Sequence, residues 1–329
     1  MQTELRNKRA SGLRQLFQEQ WEYLSRLIDR YQTQQRERAR QRLLETRQIE
    51  SVVDGTNGSM RALSHYKEQL RASVRVLIDY VENLVERLPA PLHVSAGQFA
   101  ADPQVKGIFA RKQAIFEIFG RSDELREFFA AEENSQLQQA YAILFMQRQE
   151  KSVLGMELRG ETIVRDVRQT RLNFAGHQIK TPCGSEQELR AALKTLLFDS
   201  FVAYIKYHLA RLGQSQSASS PHQSAPTHDH WTRRHLQDLE NPEVYLRELT
   251  RLLQNPQQLL RLERNTLCVD PMRIKGPCAK NPRLTQIHLQ EILLGRNARQ
   301  VICMVSFPRD EMPAKKDLLS EAQAVLGPF

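Results

Sequence analysis

Apolar positions recur at steps of three and four through the opening third of the chain. Leu13, Leu16, Phe17, Trp21, Leu24, Leu27, Ile28 and Tyr31 fall on one stripe when each residue advances by about 100°, so residues 1–53 read as a long helix. Asp54-Gly55-Thr56-Asn57-Gly58-Ser59 follows, with two glycines suited to a reversal and a serine able to cap what comes next. Met60, Leu63, Lys67, Leu70, Val74, Leu77, Val81, Leu84 and Leu88 then alternate spacings of three and four, a heptad seam interrupted only by Lys67. Pro89-Ala90-Pro91 ends it, because proline cannot continue a helical ladder. The pattern predicts a long N-terminal antiparallel helical hairpin. Leu63, Leu70, Val74, Leu77, Val81 and Leu84 form a seam for the first helix, for a partner protein or for a second copy of the chain.

Asp102-Pro103 and Ser122-Asp123-Glu124 each look like a helix start, and five phenylalanines between Phe109 and Phe129 read as the core that docks these shorter helices on the long pair. From about residue 151 the texture becomes β-prone. Runs at Val153–Leu158, Thr162–Val164 and Phe174–Ile179 predict a three-stranded meander ending near Pro182. Ser185 with Glu188 forms a capping box before an apolar helical face from Leu189 to Leu209. Residues 213–230 are rich in Ser, Gln and His, which predicts a flexible linker. Beyond it, Asn241-Pro242 and Asn255-Pro256 predict short helices in series. Leu284–Leu294 and Gln300–Phe307 predict a hairpin, and a last helix is expected from about Pro313 to Leu326.

The fold class that follows is α+β and predominantly helical, the long hairpin being followed by helices and small antiparallel β segments. Its expected parts are a helical domain over 1–150, a β-meander with a helix over 151–212, the linker, and a unit over 231–329. The last could pack with 151–212 as one α+β domain.

Composition narrows the function classes without choosing among them. A chain of 329 residues that is 40% hydrophobic can build sizeable cores, and no apolar run is long enough for a membrane span. No secretory signal is visible, so the cytoplasm is the expected compartment. Cys183, Cys268, Cys278 and Cys303 include no CxxC pair and read as reduced thiols. A net charge of +9 favours polyanionic partners.

Two basic stretches are candidates for phosphate contacts. In the first helix the apolar stripe is replaced by Gln34, Gln35, Arg38 and Arg42, with Arg36 and Arg40 beside them. In the β regions Arg165, Arg168 and Arg171 are joined by Arg273 and Lys275, with Lys280, Arg283, Arg296 and Arg299 nearby. His222, His228, His230 and His235 read as linker composition rather than a metal site, since ligands need an orienting shell. Cys183 near His177 is a weak nucleophile candidate. Phosphate-loop, dinucleotide, serine-hydrolase and zinc-protease motifs are missing, and no cofactor or metal is indicated. The leading expectation is a non-enzymatic protein-interaction or regulatory protein. A nucleic-acid-binding protein using basic helix and sheet surfaces is the alternative, and an enzyme of unrecognised type the second.

Overall fold

A computed structural model describes residues 43–159, 161–217, 241–278, 284–295 and 298–314. Strands β1 (Leu92–His93), β2 (Gln139–Arg159), β3 (Thr162–Cys183), β4 (Leu260–Val269), β5 (Thr285–Leu294) and β6 (Ala298–Pro308) join in one sheet. The order is β3-β2-β6-β5-β4, all antiparallel, with the short β1 added in parallel to β6. The central strands carry apolar side chains on both faces. Ala140, Ala142, Leu144 and Met146 of β2 enter one core, and Tyr141, Ile143 and Phe145 face the other. A sheet with helices on both faces requires this double-sided burial.

The first face is covered by the helical residues 43–55 (α1), by α2 (Tyr66–Glu86), and by two later helices, α7 (Glu186–Ser217) and α8 (Pro242–Gln254). Leu70, Val74, Leu77, Val81 and Leu84 are at most 4% exposed and meet α7 and α8, with Leu63 partly buried in the same core. Each such burial contributes about 1.5–3 kcal/mol. These seam positions are therefore filled from within one copy of the chain. Lys67, the polar interruption, pairs with Glu50 of α1 at 2.9 Å, where Tyr66 and Arg61 also donate to the same carboxylate.

The second face is covered by α3 (Gln98–Ala101), α4 (Pro103–Ile108), α5 (Lys112–Gly120) and α6 (Asp123–Ala130). Asp102 caps α4 by accepting from the Gln104 amide at 2.7 Å, and Ser122 caps α6 by accepting from the Leu125 amide at 3.2 Å. Phe109, Phe119 and Phe129 are buried, and Phe119 stacks on Phe307 of β6 at 4.3 Å. The phenylalanines thus dock the short helices on the sheet, not on a pair of long helices.

The predicted fold class is corrected on two points. The described residues contain no long helical hairpin, since α2 packs on helices more than a hundred residues later in the chain. Residues 1–42, with most of the first predicted helix, lie outside the described residues, as do 218–230 of the predicted linker and nearly all of the last predicted helix, while linker residues 213–217 instead extend α7. The β segments are not small either: β2 and β3 have 21 and 22 residues. The Phe174–Ile179 run continues β3 instead of forming a third strand, and β4 occupies a stretch expected to be helical. Among the described residues no helix is long and apolar enough to cross a membrane.

Candidate functional site

β2 pairs with β6 only from Gln139 to Met146, and beyond that point β2 and β3 run on together as a two-stranded ribbon. The loop after β4 braces its base. Leu172 donates its amide to the Arg273 carbonyl at 2.9 Å, and Lys275 donates to the Thr170 carbonyl at 2.8 Å. A disulfide between Cys268 and Cys278 closes this loop, which corrects the expectation of four reduced thiols. The two edges of the sheet are thereby tied together. Past the brace, residues 153–159 and 162–169 pair only with each other among the described residues. At ~3.3 Å per residue they project by roughly 20–25 Å.

This projecting part is where the exposed apolar side chains gather. Leu154, Met156 and Ile163 are 70%, 66% and 64% exposed, and Met272 on the bracing loop is 67% exposed. Between ribbon and loop lies a groove of about 650 Å³ walled by Leu154, Met156, Arg165, Arg171, Asp270 and Met272. A register shift opposite Gly155–Glu157 puts one extra residue into β3, where Asp166 has φ of 58°. Such a bulge redirects side chains, so Ile163 and Arg165 leave the alternation of the rest of the strand. Gly155 leaves room for a side chain from the facing strand. A Cβ there would lie 2.1 Å from the side chain of Gln169, which crosses to donate to the Met156 carbonyl at 3.0 Å.

The five predicted β-region cations divide into two groups. Arg165, Arg168 and Arg171 are exposed on the ribbon, and neither Arg165 nor Arg168 has an acidic partner among the described residues. Arg171 reaches the Met272 carbonyl at 3.5 Å. Arg273 is used internally. It donates to the carbonyls of Gly107 and Ile108 at the end of α4 and lies over the Phe174 ring at 5.7 Å. Burial, and then neighbouring Arg171, pull its pKa below the usual arginine range. Lys275 pairs with Glu150 at 3.2 Å. Arg36, Arg38, Arg40 and Arg42 lie outside the described residues, as do Lys280, Arg283, Arg296 and the four linker histidines.

A charged network that the sequence reading missed anchors the ribbon. Glu291 of β5 is fully buried, with Arg148 of β2 at 3.3 Å and Arg299 of β6 at 3.1 Å. Asn265 of β4 donates to it at 2.6 Å, and Arg299 also reaches Glu263 of β4 at 3.3 Å. Arg148 and Lys275 meet again at Glu150, so the network runs from the sheet into the brace. The available signal was a lone acid at an inward position of β5, two residues after Leu289 and two before Leu293.

The predicted Cys183–His177 chemistry has no support in the local geometry. Cys183 donates to the Thr181 carbonyl at 3.3 Å, and burial followed by Glu188 raises its pKa, against the thiolate. His177 stacks on Phe109, and burial lowers its pKa. No known protein family matches this chain, and no match was found among characterised proteins or among solved structures.

Proposed function

We propose that this chain is a non-enzymatic binding protein that engages an acidic partner protein through the projecting ribbon and its groove. The observation that carries the reading is the concentration of exposed Leu154, Met156, Ile163 and Met272 beside Arg165 and Arg168. Contiguous exposed apolar surface is costly to leave bare and marks contact surfaces, and methionines adapt to varied partners. The flanking guanidinium groups select for carboxylates and speed encounter. A braced ribbon presents both without rearrangement of the core.

The competing reading is nucleic acid bound by the same arginines. The two make different demands on the apolar residues. Leu154→Ser with Met156→Ser removes the hydrophobic contact and leaves the charge, whereas Arg165→Glu with Arg168→Glu does the reverse. A protein partner requires both sets. Binding to DNA or RNA in a low-salt mobility shift that survives the serine changes and disappears with the glutamates would replace the proposal.

A cytoplasmic address belongs to this proposal, and the Cys268–Cys278 bridge puts it to the test. Reducing compartments keep such pairs as thiols. Alkylation of freshly lysed cells, followed by mass analysis, decides the compartment: both cysteines modified supports the cytoplasm, and a bridged pair in situ, as in the structure, argues for an oxidising compartment.

A further inference from the structure

β6 changes partner along one of its edges. It pairs with β5 as far as Ile302 and with β1 from Val305, so among the described residues Cys303 and Met304 have no strand beside them on that side. Gln104 of α4 holds this fork open. Its side chain donates to the His288 carbonyl at 2.5 Å and accepts from the His288 amide at 2.8 Å, standing in for the strand that β5 has left. A cavity of about 500 Å³ occupies the fork. That volume lies within the range of small-molecule sites, which are mostly apolar with a few placed polar groups.

The lining fits this description. Leu92, Met146, Leu289, Val301 and Met304 supply apolar wall, and His93, His288, Asp102, Gln290 and Cys303 supply the polar atoms. His93 and His288 are exposed at the cavity, and each ring is oriented through Nδ1, on Ser306 and on Thr266, both at 3.1 Å. The Gln290 Oε1 lies just behind the cavity wall, buried and without a hydrogen-bond partner among the described residues. A buried acceptor in that state calls for a donor. Among the described residues no lysine or arginine lines the cavity, while Asp102 does. A carboxylate or phosphate would therefore meet Asp102 and find no lysine or arginine, only the two imidazoles. The Cys303 thiol is pushed up to about 12 by burial, so it is a wall atom rather than a nucleophile.

We propose that the fork cavity binds a small amphiphile, neutral or cationic, with an apolar body and a hydrogen-bond-donating head toward which the buried Gln290 amide oxygen turns on binding. The ribbon groove is separate, and neither reading depends on the other.

Titrating octylamine, octanol and octanoate into the full chain carrying ¹³C-methyl methionine tests this. The amine and the alcohol are expected to shift the Met146 and Met304 resonances saturably, leaving Met156 and Met272 unmoved. Octanoate is expected to bind at least about tenfold more weakly at about pH 8.5, where it meets Asp102 and no lysine or arginine. Gln290→Leu is expected to weaken octylamine about fivefold or more while leaving benzene, which has no donor, unchanged. Equal binding of octanoate, shifts confined to Met156 and Met272, or an unchanged octylamine affinity in the variant would overturn the proposal. Should the variant fail to fold, the charge series and methyl map on the unmodified chain decide the matter alone.

Discussion

The two halves of the β2–β3 hairpin use similar residues to opposite ends. Near the sheet, Leu144 and Met146 are fully buried between helices; ten residues on, Leu154 and Met156 are 70% and 66% exposed. Neither strand propensity nor alternation differs enough to explain this. The difference is the neighbour, since β6 pairs with β2 through Met146 and stops. Strand propensity therefore builds the ribbon, and only the surrounding layers decide which half is core. Exposed apolar surface of this kind marks contact sites in other proteins, which is the ground of the proposed docking role.

The largest expected effect lies at the joint between the halves. Glu291→Ala leaves the largely buried Arg148 facing a void, while the half-exposed Arg299 can turn to water, and breaking a buried pair costs about 3–5 kcal/mol, read as a fall in the urea midpoint. Leu144→Ala in the covered half is expected to cost about 2–5 kcal/mol, against less than about 0.5 kcal/mol for Leu154→Ala in the bare half. Equal costs would mean that the distal ribbon packs on something within the chain. Reducing the Cys268–Cys278 bridge releases a loop of ten-residue separation, worth about 2–3 kcal/mol by loop-closure entropy. It should raise amide exchange at Thr170–Leu172 before it affects β6.

The smallest effect is away from the ribbon, at the junction of α1 and α2. The Glu50 carboxyl is lowered from 4.5 to about 2, by Lys67 first and then by Arg61 and Tyr66. Because the folded value lies below the unfolded one, the stabilisation is complete above about pH 4.5 and is lost as the pH falls toward 2. Glu50→Gln should flatten the thermal midpoint over that window, leaving the Leu144 and Leu154 comparison unchanged.

How much of this the sequence disclosed follows from where each signal is local. Caps are local: Asp102, Ser122, Ser185 and Asn241 each accept from the amide two or three residues on, as their contexts predict. The α2 seam was legible as a buried stripe, but its occupants were not, because α7 and α8 arrive from beyond residue 185. The first half of β2 was hidden for the opposite reason. Ala140–Met146 is apolar on both faces, so the two-residue period that marks a half-buried strand is absent. At the candidate site Arg165, Arg168 and Arg171 were legible as charge, while Arg273 turned inward to α4 and Lys275, still exposed, paired with Glu150. The exposure of Leu154 and Met156 was not legible, since alternation looks the same whether or not a layer covers it. The Cys268–Cys278 pairing had no motif to announce it and depends on how β4 turns back.

The central claim is that the bare half of the ribbon is a docking surface for an acidic protein. Its most direct test is a photo-crosslinking residue at Met156, with the same residue at Val76 of α2, 41% exposed, as the control. In the producing cells the Met156 probe should yield a discrete adduct to an acidic protein, absent at Val76 and lost when Arg165→Glu and Arg168→Glu are added. Adducts equal at the two positions, or unaffected by the charge reversals, would contradict the account.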